Sequence, residues 1–220
     1  MLNKIYTYFH NPLKGWDPIS DAYANSYSNY SKSNFDASCI EELNALCGHL
    51  IGKTLIDLGG GPGQYTLALA KYGALVTWRD VSKNYLKIVQ QQAQKENLNI
   101  DFQLQYMDTA TGSFDVVFNR VCFHYCINDR AFLKTIYQLL NEKGIAYLIL
   151  HNKNMANLKH KNLIKRLYKY LVHCLNTYAS IKIGHPPFGQ YKLKKMLCRY
   201  PFSKILIEPH GNNTKVVLFK

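Results

Sequence analysis

Acidic residues are almost absent from the last third of this 220-residue chain. Residues 151–220 contain fourteen Lys and Arg but a single acid, Glu208, whereas residues 1–150 hold thirteen basic and thirteen acidic residues. The formal net charge of +13 therefore comes entirely from the last third. This asymmetry predicts an anionic partner there, such as RNA, a membrane surface or an acidic substrate, or else a solvated lysine-rich face.

The sequence also lacks signals for membrane spanning, for targeting and for metal binding by cysteine pairs. No apolar run approaches the ~18 residues that a membrane-spanning helix needs, and the first residues lack the apolar core of a targeting segment. The six cysteines form no CxxC pair of the metal-binding type, and a chain of this length needs no disulfides to build a core. We therefore expect reduced thiols, no metal site and a cytoplasmic protein.

Short β-rich runs alternate with helical patterns from residue 54 onward, and this predicts an α/β fold. Alternation of this kind indicates a doubly wound, mostly parallel sheet with helices on both faces. The segments SKILIEP and TKVVLFK flank HGNN, which predicts a closing antiparallel hairpin and so a sheet of seven strands. The predicted strands cover 54–58, 75–79, 100–105, 114–119, the run after Gly144 and the two arms of the hairpin.

The domain organisation is predicted from the same patterns. Residues 1–35 are rich in Tyr, Ser and Asn and show no strong period, so we expect an N-terminal cap or lid. Residues 36–220 are predicted to form the main domain. Within it, residues 151–200 are expected to form a basic helical insert on the side of the substrate.

The stretch LIDLGGGPGQY contains most of the first predicted strand and the four glycines that follow it. A P-loop would need Lys-Ser or Lys-Thr after the glycines, and none follows. A dinucleotide fingerprint beginning at Gly59 would require its third glycine at Gln64, so that pattern also fails. Instead, Asp57 is followed by glycine at every second position, namely Gly59, Gly61 and Gly63.

This pattern resembles motif I of the class I S-adenosylmethionine (SAM) methyltransferases, over about residues 36–150. The resemblance implies a Rossmann-like fold, SAM as the cofactor, and glycines that leave room for it. It assigns Asp57 to the methionine ammonium and Asp80 to the two ribose hydroxyls. It further places Met107 beside the adenine ring and Asp108 on the exocyclic amine. The three acids each follow a predicted strand, at the edge where such sheets bind ligands.

The segment FDVVFNRVCFHYCIND extends the resemblance to the small-molecule branch that includes ubiquinone and menaquinone methyltransferases. Phe123, His124 and Tyr125 occupy the positions of that branch's Leu-His-His, and Tyr125 departs from it. The resemblance places Asn119, Arg120 and His124 near the methionine end of SAM or at the mouth of the acceptor pocket.

Several side chains are candidates for the acceptor side. Methyl transfer from a sulfonium is an in-line displacement, so alignment dominates and a general base is optional. His124, with Tyr125 beside it, is the first candidate base, and His185 in a Pro-Pro loop is the second. Each histidine is equally compatible with a purely structural role. Tyr27 and Tyr30 are predicted either to reach over the cofactor or to lie on the surface.

Some acceptor classes are disfavoured and others stay open. The chain lacks the Asn-Pro-Pro-aromatic and Pro-Cys signatures of nucleic-acid methyltransferases after the fourth strand. The CxxxC spacing of Cys122 and Cys126 leaves thiol-dependent chemistry open, although buried cysteines more often act as small apolar residues. Residues Met155–Tyr178 form a basic amphipathic pattern that suits an anionic membrane, RNA or ordinary packing on the domain.

These observations together predict a SAM-dependent methyltransferase. Its expected acceptor is a small, anionic or lipid-like molecule methylated at an O, N or C atom. Three alternatives remain open from the sequence: an RNA methyltransferase that uses the basic last third, a non-catalytic SAM-binding or interaction protein, and non-methylating sulfonium chemistry on the same fold. The oligomeric state is not predicted.

Overall fold

A computed structural model describes residues 8–151, 163, 164, 167 and 189–220. Seven strands form one sheet: β1 (Thr54–Leu58), β2 (Leu75–Asp80), β3 (Ile100–Leu104), β4 (Phe114–Arg120), β5 (Leu140–His151), β6 (Lys204–His210) and β7 (Asn213–Phe219). The helices with described bounds are α1 (Asp21–Ser33), α2 (Ser38–Leu46), α3 (Gln64–Lys71), α4 (Lys83–Lys95), α5 (Asp129–Leu139) and α6 (Gln190–Leu197). Short 3₁₀ helices lie at Pro12–Lys14, Met107–Thr109 and Phe123–Tyr125.

The strand order of the sheet is β3-β2-β1-β4-β5-β7-β6. Strands β1 to β5 pair in parallel, whereas β7 runs antiparallel to both β5 and β6. The predicted fold, a doubly wound and mostly parallel seven-stranded sheet that ends in an antiparallel hairpin, is confirmed. None of the helices in the described part is both long and apolar enough to cross a bilayer.

One predicted boundary is wrong. The helical pattern predicted a helix to residue 141 and a strand from Gly144, but α5 ends at Leu139 and β5 begins at Leu140. The backbone of Leu140 is extended and pairs with Phe114, and the register then shifts before regular pairing resumes at Ile145. Tertiary pairing with β4 therefore ends the helix early, although Leu140 continues its apolar period.

Strand β5 shows why the sheet is covered on both faces. Its apolar run is continuous, which is typical of a strand buried from both sides. Because successive side chains of a strand point to opposite faces, alternate residues enter two different cores. One core, beneath α5 and α6, receives Ala146, Leu148 and Leu150; the other, beneath α2 and α3, receives Ile145, Tyr147 and Ile149.

The N-terminal segment contains a helix that the sequence did not predict. Helix α1 buries Ala24 in a small core shared with α4, including Tyr85 and Val89. Just before it, the Asp17 carboxylate accepts hydrogen bonds from the Ser82 hydroxyl (3.1 Å) and from the Asn84 amide (2.9 Å). These contacts attach the segment to the start of α4. Its role as a cap or lid stays a prediction.

Gly63 at the start of α3 offers a test of this packing. Its φ is +89°, and a Cβ placed there would lie 2.1 Å from Val89 Cγ2 on α4. We expect Gly63→Ala to destabilise the protein by about 2–5 kcal/mol, because left-handed backbone strain and overpacking add. Gly211→Ala is the matched control, since Gly211 has φ +56° and open space around it. Urea unfolding should show a clearly smaller loss for the control; equal losses would contradict the packing argument.

Candidate functional site

The carboxyl ends of the parallel strands surround a cavity of about 730 Å³. Asp57 lies one residue before the end of β1, while Asp80, Arg120 and His151 are the last residues of β2, β4 and β5. All four line the cavity. Ligands of doubly wound sheets bind at this edge, and the volume lies within the ~300–1,000 Å³ typical of small-molecule sites.

The glycine loop is held to the sheet by Trp78 of β2. The Trp78 indole N–H donates to the Gly61 carbonyl at 3.0 Å, and the Gly59 amide donates to the Arg79 carbonyl at 2.7 Å. A Cβ on Gly60 would lie only 2.4 Å from the Trp78 ring. Trp78 is fully buried, so it gives the loop a fixed backing. The sequence analysis did not single out this residue.

The predicted glycines serve different purposes. A Cβ at Gly59 would lie 2.3 Å from Cys122 Sγ, and one at Gly63 would collide with Val89. Both positions therefore require glycine because of the protein's own packing, and Gly63 is not part of the cavity wall. Gly59 and Gly61 both line the cavity, but Gly61, with φ +53°, has open space where a Cβ would stand.

The carboxyl groups of buried Asp57 and partly buried Asp80 face the cavity at neighbouring strand ends. Asp57 accepts a hydrogen bond from the Thr66 hydroxyl at 2.6 Å, and burial raises its pKa to about 7. Asp80 accepts from the amides of Gly61 (3.0 Å) and Ser82 (2.9 Å); burial raises its pKa to about 6, although the amide hydrogen bonds oppose this. Among the described residues, neither carboxylate has an ion-pair partner.

The third side of the cavity is the 3₁₀ helix at Met107–Thr109. Met107 is buried and lines the cavity together with Asp108. Asp108 Oδ1 accepts from the Ile127 amide at 2.9 Å, which ties this helix to the loop before α5. Buried Arg79 donates to the Tyr106 carbonyl (2.9 Å) and the Thr109 hydroxyl (2.9 Å). The predicted purine-side residues are therefore held in place by strand β2.

Arg120 and Asn119, adjacent at the end of β4, point to different surroundings. The Arg120 guanidinium lies over the Tyr65 ring, 4.5 Å from its centroid, and lines the cavity. Its Nε is buried and has no hydrogen-bond partner among the residues that the structure describes. Asn119 is not part of the cavity wall; its amide donates to the Leu58 carbonyl (2.8 Å) and contacts Cys122 Sγ (2.9 Å). Asn119 thus joins the end of β4 to β1.

A group of aromatic and imidazole side chains forms the remaining wall. His124 lies beside Tyr125, with ring centroids 4.1 Å apart, and its ring stacks on His151 at 5.9 Å. His151 is not among the site residues predicted from the sequence, although a histidine that ends a buried strand is a usable signal. Tyr27 of α1 also lines the cavity, whereas Tyr30 is exposed and is not part of the wall.

The backbone is strained at one residue of this wall. Val121, between Arg120 and Cys122, has φ +58° and lines the cavity. A β-branched residue in that region is a genuine outlier, and such outliers concentrate at functional sites. The Val121 amide donates to the Ile149 carbonyl at 2.7 Å, which holds the strained turn against β5.

Parts of the predicted acceptor side lie outside the residues that the structure describes. His185 lies outside the described residues, as does most of the predicted basic helix Met155–Tyr178. Leu163, Ile164 and Leu167 of that helix are described; they are helical and exposed.

The two cysteines of the CxxxC spacing are poor nucleophiles. Cys126 is buried and Cys122 is partly buried in the cavity wall, and desolvation raises the pKa of each thiol well above its usual range. Both therefore stay protonated at neutral pH, and the reactive form of cysteine is the thiolate. This arrangement does not favour thiol-dependent chemistry at these positions.

Comparison with known proteins agrees with this geometry. A family model described as a methyltransferase domain matches residues 56–148, from β1 into β5. These residues match the methyltransferase domain family, and the match covers a little less than half of the chain. The resemblance to SAM methyltransferases, predicted from the glycine loop and the strand-end acids, is thereby confirmed.

Relatives and solved structures extend the comparison. A protein of Geobacillus sp. (strain WCH70) named as a methyltransferase is 36% identical over 107 residues, 46% of this chain and 43% of that protein. A ubiquinone biosynthesis O-methyltransferase of Coxiella burnetii is 29% identical over 108 residues, 48% of this chain and 46% of its own. The chain thus spans less than half the length of each. The structure of a protein of Methanococcus maripaludis described as SAM-dependent shares the fold, with TM-score 0.65 and 19% identity over 90% of this chain and 92% of that one.

The buried carboxyl of Asp57 gives the methyltransferase domain a measurable pH dependence. Its pKa is raised from 3.8 to about 7 in the folded protein, so the folded state binds an extra proton between these values. Stability from this group is therefore complete below about pH 4 and is lost as the pH rises through 7, by up to about 4 kcal/mol. Urea unfolding from pH 4 to 8 should show this fall in the wild type relative to Asp57→Asn. A pH-independent difference would contradict it.

Proposed function

We propose that this chain is a SAM-dependent methyltransferase that acts on a small molecule. One observation carries the proposal: two desolvated carboxylates, without an ion-pair partner among the described residues, flank the open space above Gly61. Burying charge without a partner is costly. A cationic ligand with hydroxyl groups would relieve that cost, and SAM carries an ammonium, a sulfonium and a ribose diol.

The residues of each wall match one part of the cofactor. The two oxygens of Asp80 accept hydrogen bonds from the main-chain amides of Gly61 and Ser82, and Asp80 lines the cavity, where a carboxylate can accept both hydroxyls of a ribose diol. Asp57, ionised by a cation beside it, would hold the ammonium. Met107 and Asp108 would contact the purine. The Nε of Arg120, which has no partner within the described part of the chain, would suit the methionine carboxylate or an anionic acceptor.

The acceptor side has groups that orient a nucleophile and take its proton. The bound cofactor supplies an electrophilic methyl group, and the acceptor atom must approach it in line. His124 and His151 lie on the same wall, so we assign His124 to receive the acceptor's proton and His151 to support its ring. Tyr125 and Tyr27 would enclose the acceptor, and the part assigned to His185 remains a proposal from the sequence.

An oxygen nucleophile is the first acceptor class to test. The similarity to ubiquinone biosynthesis O-methyltransferases favours a small, ring-containing or lipid-like acceptor over a macromolecule. The aromatic wall formed by Tyr27, Tyr125 and Phe118 is compatible with a flat acceptor. RNA and peripheral membrane contact, predicted from the basic last third, would use surfaces outside this cavity.

Asp80→Ala tests the cofactor assignment. Hydrogen bonds to a charged group contribute roughly 1.5–3 kcal/mol, so we expect the Kd for SAM measured by calorimetry to rise about 10–100-fold. Asp101→Asn removes an exposed carboxylate on β3 and is the control. Unchanged affinity in a folded Asp80→Ala protein would refute the assignment.

His124→Ala tests the chemical step. We expect turnover of a hydroxylated aromatic acceptor to fall about 100-fold or more, because general base catalysis contributes roughly 10²–10⁴-fold. The Kd for SAM should change less than threefold. His49→Ala, on the exposed surface, is the control. A larger loss of SAM affinity than of turnover would instead place His124 on the cofactor side.

A further inference from the structure

A second cluster of chemically reactive side chains lies outside the cavity. Asp36, just before α2, Cys39 in the first turn of α2, and His210 at the end of β6 converge although up to 174 residues separate them in sequence. Asp36 Oδ2 lies 2.8 Å from His210 Nε2 and 3.4 Å from Cys39 Sγ, and the sulfur lies 3.5 Å from the same ring nitrogen. None of the three residues lines the cavity.

We propose that Asp36, Cys39 and His210 form a binding site for a zinc ion. Zinc prefers sulfur, imidazole nitrogen and carboxylate oxygen in tetrahedral arrangement, and it accepts three protein ligands with one position left for water. The usual bond lengths place tetrahedral ligand atoms about 3.4–3.6 Å apart. The two sulfur distances already match. The oxygen–nitrogen distance has to open by about 0.6 Å, which small side-chain rotations supply.

The surroundings of the three ligands support a built site. Asp36 Oδ1, the oxygen that points away from the cluster, accepts from the Ser38 hydroxyl (2.6 Å) and the Ser38 amide (3.2 Å). Such supporting hydrogen bonds are typical of metal-binding carboxylates. Cys39 is fully buried, whereas Asp36 and His210 are partly exposed, so an ion has access from solvent on one side only.

Zinc at this position would join two distant parts of the chain and one wall of the cavity. It would tie α2 to the β6–β7 hairpin. The Asp36 amide also donates to the Tyr65 hydroxyl at 3.0 Å, and the Tyr65 ring carries Arg120. The ion would therefore help to fix the position of Arg120 without touching the cavity. The competing explanation is a hydrogen-bonded Asp–His pair beside an inert thiol, and it binds no metal.

Cobalt(II) provides the direct test, because it replaces zinc and reports sulfur ligation. The full-length, untagged and reduced protein is titrated with Co²⁺, with and without SAM. We expect one equivalent to produce a thiolate-to-cobalt charge-transfer band and the strong visible bands of tetrahedral cobalt, and Zn²⁺ to abolish both. Absence of the charge-transfer band in the wild type would overturn the proposal.

Variants identify the ligands. Cys39→Ser should lose the charge-transfer band, while Cys198→Ser, which removes an exposed cysteine, should keep it. His210→Gln and Asp36→Asn preserve side-chain size and should weaken Zn²⁺ binding at least about tenfold in competition with a chromophoric chelator. A band that persists in Cys39→Ser would assign the metal to other residues and overturn the proposal.

Thermal unfolding distinguishes the loss of a metal ligand from the misfolding of a variant. Increasing Zn²⁺ should raise the Tm of the wild type and of Cys198→Ser but not that of Asp36→Asn. An equal rise in all three proteins would count against the site. Calorimetric binding of SAM is measured on the same samples, so failure of the metal site and failure of the proposed activity are separately visible.

Discussion

Two carboxylates withheld from water at neighbouring strand ends are the constraint around which the site is organised. Strands β1 and β2 are adjacent and parallel, so Asp57 and Asp80 end on the same edge and face the same cavity. Hydrogen bonds from Thr66, Gly61 and Ser82 hold them without supplying a positive charge. Their raised pKa values express the cost of this desolvation, which a cationic ligand removes. An ordinary structural role would not explain why neither carboxylate has an ion-pair partner in the described part of the chain.

Close packing behind the glycine loop supplies the second condition. Most of the loop's glycines are required because side chains of the protein, Trp78, Cys122 and Val89, occupy the space behind them. The loop is therefore pressed onto a rigid backing, and only Gly61 has open space above it. A binding surface made of main chain on a fixed support loses little entropy when a ligand arrives. Cys122, whose thiol pKa is raised by desolvation, is part of this support.

The order of secondary-structure elements followed from local patterns. Apolar β-rich runs alternate with amphipathic helices, and the same alternation gives the observed sheet, including the closing hairpin. The predicted strand ends were accurate at β1, where the glycines interrupt the apolar period. They were wrong at Leu140, because pairing with Phe114 overrode the helical period there. Helix α1 was missed because its stability comes from packing on α4, not from a strong apolar stripe of its own.

The features of the site also fall into two groups, those encoded by local sequence and those that depend on tertiary packing. The sequence alone determined the fold, the glycine loop and the strand-end acids, because each is encoded within a few residues of a strand. Only the tertiary structure decided the other features. Packing requires glycine at positions 59 and 63, and Asn119 joins β4 to β1. His151 stacks on His124, and the three residues of the proposed zinc site, Asp36, Cys39 and His210, come together. The spacing of residues along the chain does not predict these contacts, because residues far apart in sequence become neighbours only when the sheet and its covering helices assemble.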